Sequence, residues 1–131
     1  MKCEGVKDMI QQLGQVMLYV NDQEQAKLFW TEKLGFEVLS DVDNGMRIIT
    51  IAPTDEAQTS IVLHDKKKIQ EMSPELNLGT PSLMFYAHKL DALYEEFKAK
   101  GITVGELVNM PFGKVFNFSD DEGNYFAITE K

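Results

Sequence analysis

Cysteine is almost missing from this chain. A single one, Cys3, occurs in 131 residues, so no internal disulfide is available and a reducing compartment suits the protein. Unpartnered and near the terminus, it reads as an incidental thiol. No apolar run approaches the roughly 20 residues that a membrane-spanning helix needs, and the start MKCEGVKDMIQQ lacks the apolar stretch of a signal peptide. A cytoplasmic protein without a membrane partner is expected. Basic charge is also scarce: 13 Lys and Arg stand against 21 Asp and Glu, leaving a net charge of −8. Backbone binding to nucleic acid needs a basic stripe that displaces counterions, so a nucleic-acid partner is excluded. The one basic run, Lys66-Lys67-Lys68, is short and reads as a solvated loop.

Catalytic signatures are absent too. There is no glycine-rich phosphate loop, no Cys-His pair at useful spacing and no serine elbow. The oxygen-rich stretch Asp120 to Asn124 lacks the spacing of a calcium loop and reads as a hairpin turn that bonds its own backbone.

What is present is ordinary globular composition, 44% hydrophobic and 26% charged, in a length that fits one domain. Its main feature is an internal repeat. Laying Gln15-Val16-Met17-Leu18-Tyr19-Val20 on Ser82-Leu83-Met84-Phe85-Tyr86-Ala87 matches Met with Met and Tyr with Tyr, and both segments alternate as half-buried strands do. Each is followed by a helical pattern: Ala26, Phe29 and Trp30 in the first, and Leu90, Leu93, Tyr94 and Phe97 in the second. Asp22 with Gln25 resembles a capping box, and Gly35 and Gly101 stand where a helix end wants a left-handed residue.

Strand chemistry then returns. In the first half the candidates are residues 36–39, 46–52 and 59–64, parted by turn signals at Asp43-Asn44-Gly45 and Pro53 to Glu56. In the second half they are residues 103–108, 114–118 and 125–129, parted by Met110 to Gly113 and Asp120 to Asn124. Each half thus reads as βαβββ. The expected fold class is α+β, with two such modules forming curved mixed sheets around a concave groove. The first module spans 13–64, the linker 65–81 and the second module 82–131 of a single domain. Val6, Met9 and Ile10 hint at a short N-terminal helix.

The strand period of two assigns faces. If Val16, Leu18 and Val20 meet the helix, Gln15, Met17 and Tyr19 point away, as do Ser60, Val62 and His64, Ser82, Met84 and Tyr86, and Tyr125, Ala127 and Thr129. A face carrying Gln, Met, Tyr, His and Ser suits a pocket lining. Gln15, Met17, Tyr19, His64, Ser82, Met84 and Tyr86 are therefore the candidate ligand-binding residues, with the tyrosines as stacking groups. Trp30 reads as core and His88 as surface. Arg47 begins a strand apolar on both faces, so its direction stays open; turned inward it could meet a carboxylate or phosphate.

Three stretches carry a family resemblance: Gln15 to Asp22; Leu28-Phe29-Trp30 running to Lys33-Leu34-Gly35-Phe36; and Asp120 to Asn124. The chain resembles the glyoxalase, bleomycin-resistance and extradiol-dioxygenase superfamily (vicinal oxygen chelate fold) from about Leu13 onward. By that resemblance, metal-using members place four ligands on the first and last strands of each module, for Lewis-acid work on vicinal oxygens. Those positions fall on Gln15, Val62, Ser82 and Ala127. Valine and alanine have no lone pair to offer, so no cofactor or metal is expected and no catalytic residue is assigned. His64, about 6.6 Å along the strand from Val62, is the residue that a two-residue shift of register would bring nearer an ion. The resemblance implies a metal-free binder of a drug or metabolite, its groove shared between two copies of a homodimer. Two alternatives stay open. One is a lyase, isomerase or dioxygenase with an atypical divalent-metal site or a Tyr and His acid–base pair; the other is a non-catalytic partner module with a vestigial pocket.

Overall fold

The computed structural model describes residues 9–131. Cys3 and Val6 lie outside that range; Met9 and Ile10 are described, exposed and not helical. The first module runs β1 (Gln15–Val20), α1 (Gln23–Leu28) continuing as a π-helical turn (Phe29–Lys33), β2 (Glu37–Asp43), β3 (Arg47–Ala52) and β4 (Ser60–Asp65). The short helix α2 (Lys66–Met72) follows. The second module comprises β5 (Met84–Ala87), α3 (Leu90–Ala99), β6 (Val108–Met110), β7 (Gly113–Ser119) and β8 (Tyr125–Glu130).

Each module closes into a four-stranded mixed sheet. The orders are β1-β4-β3-β2 and β5-β8-β7-β6, and in both the first strand lies parallel to the last while the other pairs are antiparallel. Parallel neighbours need a crossover connection, which α1 and α3 supply. Among the described residues no helix is long and apolar enough to cross a membrane.

Local chemistry explains the helix ends. Asp22 caps α1, its side chain accepting from the Gln25 N–H at 3.1 Å, which leaves an aspartate at a helix start that favours negative charge. At the far end of α3 the Gly101 N–H bonds the Lys98 carbonyl and the Ile102 N–H bonds that of Phe97, both at 3.0 Å. Gly101 has φ +77°. This is a Schellman turn, and its paired apolar residues Phe97 and Ile102 are both buried.

Two segments depart from the sequence expectation. Residues 103–108 do not form a strand; Val104 makes one isolated bridge to Phe118 and pairing resumes only at Val108. The Gly105 N–H still reaches the Asn117 carbonyl at 2.8 Å, so the chain follows β7 without a continuous ladder, as edge strands with a glycine often do. The Lys66-Lys67-Lys68 run is also no loop. It forms the first turn of α2, because Asp65 accepts from the Lys67 and Lys68 N–H groups.

The alternation holds. Leu18, Val20, Ile49, Ile51, Ile61 and Leu63 of the first sheet and Phe116, Phe118, Phe126 and Ile128 of the second join one buried cluster with the helices. Trp30, fully buried, ties the halves: its ring centroid lies 6.0 Å from Phe85, 6.3 Å from Phe118 and 5.4 Å from Phe126. Since the helix-side faces share one core, the other faces of the sheets look outward from it.

Candidate functional site

On the outward face of the first sheet, register sets Gln15 beside Ser60, Met17 beside Val62 and Tyr19 beside His64. Across β4, Thr50 stands beside Val62 and Ile48 beside His64. The structure thus gathers Met17, Tyr19 and His64. The imidazole stacks on Tyr19 with centroids 5.6 Å apart and planes 20° apart, and its Nε2 lies 3.2 Å from the Met17 Sδ. A thioether only accepts, so this contact needs the Nε2–H tautomer. Nδ1 is then an acceptor, buried and without a hydrogen-bond partner. Burial lowers the His64 pKa, so the ring is neutral at pH 7. The loop carbonyl that a strand-end histidine usually finds is replaced here by sulfur.

On the second sheet Met84 pairs with Ala127 and Tyr86 with Thr129, and Asn117 and Val115 continue those rows on β7. Ser82 lies just before β5 and is exposed. Met84, Tyr86, Phe112, Thr129 and Glu130 line an open hollow of about 390 Å3. Tyr86 is 67% exposed, and the Lys131 ammonium stands 5.8 Å from its ring centroid. Met17 and Met84 are 37% and 48% exposed. The candidate residues therefore fall into two sets on two outward faces, the first around His64 and the second around Tyr86.

At the positions that the family resemblance gives to metal ligands, the side chains offer little to a cation. Val62 is buried between Met17 and Thr50, and Ala127 is half-buried between Met84 and Asn117. Neither has a donor atom, and the amide of Gln15 and hydroxyl of Ser82 are weak neutral donors on exposed residues. These residues do not fit a divalent ion. Among the described residues no three or more His, Cys, Asp and Glu side chains converge in a metal-holding geometry.

Arg47 turns to the helix side. Its guanidinium donates from Nε and Nη2 to the two Asp41 oxygens at 2.9 and 2.8 Å and reaches Glu24 at 2.9 Å, while Lys27 also pairs with Asp41 at 2.8 Å. Arg47 and Lys27 hold the Asp41 carboxyl well below the usual carboxylate range. Arg47 is thus engaged in an ion network and does not face the candidate site.

The Asp120 turn bonds itself as expected: Oδ1 accepts from the N–H groups of Glu122 and Asn124 at 2.9 and 2.8 Å. Its neighbours do more. The Glu122 carboxylate accepts from the Asn21 and Asp22 N–H groups at 2.9 Å each and from the Asn21 side chain at 3.2 Å. This clasp joins the second module's hairpin to the start of α1. Asp121, in the same turn, has its pKa pushed up to about 6, first by burial and then by the charges of Asp120, Glu122 and Asp22.

Sequence reasoning missed a further feature. Between the modules, on the helix side of β5, lies a cavity of about 220 Å3 to which Trp30 and Phe97 contribute from the two helices. A larger crevice of about 380 Å3 adjoins it and shares Pro53, Phe85 and Tyr86. Only the repeat offered a signal, since Trp30 and Phe97 occupy equivalent places in the two modules.

A family model described as the Glyoxalase/Bleomycin resistance protein/Dioxygenase superfamily matches residues 12–128. The uncharacterized protein YetH of Bacillus subtilis (strain 168) is 34% identical over 125 residues, which cover 93% of this chain and 100% of that protein. The structure is similar to that of TnmS3, an antibiotic binding protein from Streptomyces sp. CB03234, with a TM-score of 0.79 and 30% identity over 92% of this chain and 96% of that one. It is also similar to a glyoxalase/bleomycin resistance protein/dioxygenase superfamily member from Sphaerobacter thermophilus DSM 20745. There the TM-score is 0.76 and the identity 28%, over 94% of this chain and 99% of that one.

Proposed function

The chain belongs to the glyoxalase/bleomycin resistance protein/dioxygenase superfamily, and on that premise we propose that it binds a drug or metabolite on its outward sheet faces without a resident divalent metal. One observation carries this reading. Where metal-using relatives are expected to hold ligands this chain has Val62 and Ala127, yet the surrounding faces keep Met17, Tyr19, Met84 and Tyr86 open to a ligand. The description of TnmS3 as an antibiotic binding protein supports the same ligand class.

Because the two faces look away from a shared core, a groove using both requires a second copy. The first sheet of one protomer then stands opposite the second sheet of its partner, in a cytoplasmic homodimer. Exposed Val42, Ile48, Met84 and Tyr125 on these faces give such an assembly apolar surface to bury. Methionines make the groove adaptable, tyrosines stack on flat groups, and Gln15 and Ser82 orient polar atoms, while the His64 ring braces Met17 and Tyr19.

A thermal-shift screen of aromatic, peptide-like and cationic compounds, run with a chelator present, is expected to yield a stabilising ligand. Tyr19→Ala and Tyr86→Ala should each weaken it by about 1–3 kcal/mol in calorimetry, the usual cost of losing an aromatic anchor. Full affinity in both folded variants would remove these faces as the site. One ion per chain by elemental analysis, lost in Gln15→Ala or His64→Ala, would overturn the metal-free reading.

A further inference from the structure

Strand β5 stands at the end of its sheet, with β8 on one side and no strand on the other among the described residues. Along a strand the N–H and C=O of one residue point to the same side, and the side alternates from residue to residue, so a parallel neighbour takes up only every second residue. Here the Ala127 N–H bonds the Leu83 carbonyl at 3.1 Å and the Lys131 N–H bonds the Ala87 carbonyl at 3.0 Å, while Met84 is the register partner of Ala127 and Tyr86 that of Thr129. Residues 83, 85 and 87 thus turn their backbone groups to β8. Those of Met84 and Tyr86 point the other way, to the free edge, where no described residue takes them up.

The crevice of about 380 Å3 lies along that edge. Leu83, Met84, Phe85 and Tyr86 all belong to its wall, and since successive strand residues face opposite ways, a hollow that touches each of them follows the edge of the strand and not one face. The first module adds Leu13 and Ile61. No charged side chain takes part in the wall, and the exposure of Met84 and Tyr86 leaves the edge open to solvent.

This edge offers a donor and an acceptor at Met84 and again at Tyr86, a repeat of about 6.6 Å. An extended peptide backbone carries the complementary alternation and can add to a sheet as a further strand. Its apolar side chains would meet an apolar wall, whereas a charged one would lose hydration there without gaining a partner.

We propose that the free edge of β5 pairs with an extended, uncharged peptide segment. The Met84 and Tyr86 backbone groups form the ladder, and the crevice receives the apolar side chains. The proposal rests on the reading of the Tyr86 face as a ligand site, with which the crevice shares Met84 and Tyr86, and it names the ligand class as peptide-like.

The probe is acetyl-Val-Thr-Phe-Thr-Val-amide, followed by nitrogen–proton NMR titration and amide hydrogen exchange. The Met84 and Tyr86 N–H groups are expected to shift saturably, and to exchange fast in the free protein and slowly with the peptide. N-methylation at successive peptide positions should alternate in effect: about three- to tenfold weaker binding where the N–H faces β5, the loss of one hydrogen bond, and little change where it faces away. Met84→Pro removes an N–H that the ladder does not use, which an edge strand tolerates, and should weaken the peptide relative to Met84→Ala. The methylated peptides carry the test if that variant does not fold. No saturable response up to millimolar concentration would overturn the proposal, as would methylation effects without alternation. Slow exchange of both amides in the peptide-free protein would also overturn it, by showing the edge already held by a second copy. Tyr86→Ala keeps the backbone groups, so binding retained there with the alternation intact would remove the ring, and with it the outward-face reading, while supporting the pairing.

Discussion

The two modules share one topology but finish their helices differently. Helix α1 starts on Asp22, an extended N-cap whose side chain bonds Gln25, and the Asn21 and Asp22 N–H groups just ahead of the helix donate to Glu122 from the other module. Helix α3 starts after Lys89, the equivalent position, which sits left-handed at φ +53° with no side-chain cap. At the other end α1 widens into a π turn, whereas α3 closes with the Schellman turn at Gly101. The widened turn keeps both Phe29 and Trp30 buried and sets Trp30 against β5, β7 and β8. The first helix is therefore built into the joint between modules, and the second completes its own module more independently.

The largest test of this contrast compares Trp30→Ala with Phe97→Ala. Both delete a buried ring, each expected to cost about 3–5 kcal/mol in urea unfolding. Trp30→Ala should be the costlier because Trp30 has ring partners in both halves. Equal or reversed costs would break the assignment of the joint to α1.

Next is the clasp. Glu122→Gln keeps the shape but removes the charge from three hydrogen bonds to Asn21 and Asp22, so a loss of about 1–2 kcal/mol is expected. Mutating Glu130, whose carboxylate makes a 3.4 Å contact to the Leu90 N–H, should matter less. Urea midpoints of the two variants at one salt concentration decide the order.

The carboxylates of the two modules should also respond oppositely to pH. Asp41 has a folded pKa below its unfolded 3.8, so its contribution is present above about that pH and is lost as pH falls. Asp121 is raised from 3.8 to about 6. Between those values the folded state holds the proton more tightly than the unfolded one, so stability falls as pH rises through this window. Asp121→Asn is expected to be more stable than wild type at pH 7, with the advantage gone below pH 3.8. Asp41→Asn should be less stable at pH 7, and its deficit should shrink in acid. Thermal melts from pH 3 to pH 7 measure both slopes, and parallel curves would refute the contrast.

The smallest effect is expected at Lys89. Asparagine tolerates the left-handed region and can bond the first turn, so Lys89→Asn should stabilise by up to about 1 kcal/mol. The same lysine introduced at Asp22 should destabilise.

Much of the candidate site was legible because its code is local. A period of two assigned Met17, Tyr19 and His64 to one face and Leu18 and Leu63 to the other, and the register bears out that division. Residues 103–108 mislead, since Thr103, Val104, Leu107 and Val108 are residue types that favour a strand. Whether such a segment pairs depends on the neighbouring β7, which accepts it only at Val104 and again from Val108. Arg47 was undecidable for a similar reason: with apolar residues on both faces of its strand, only the position of Asp41 on β2 and Glu24 on α1 settles its direction.

By itself the sequence determined most of the elements, the repeat and the side chains that the paired strands present, because propensity, capping and alternation act over a few residues. It also determined that Val62 and Ala127 offer no donor atom. The tertiary structure alone decided that the two candidate sets occupy separate outward faces, that Glu122 reaches the start of α1, and that Trp30 and Phe97 enclose a cavity. Those outcomes depend on how one module packs on the other, through contacts between residues far apart in the chain, which no local pattern encodes.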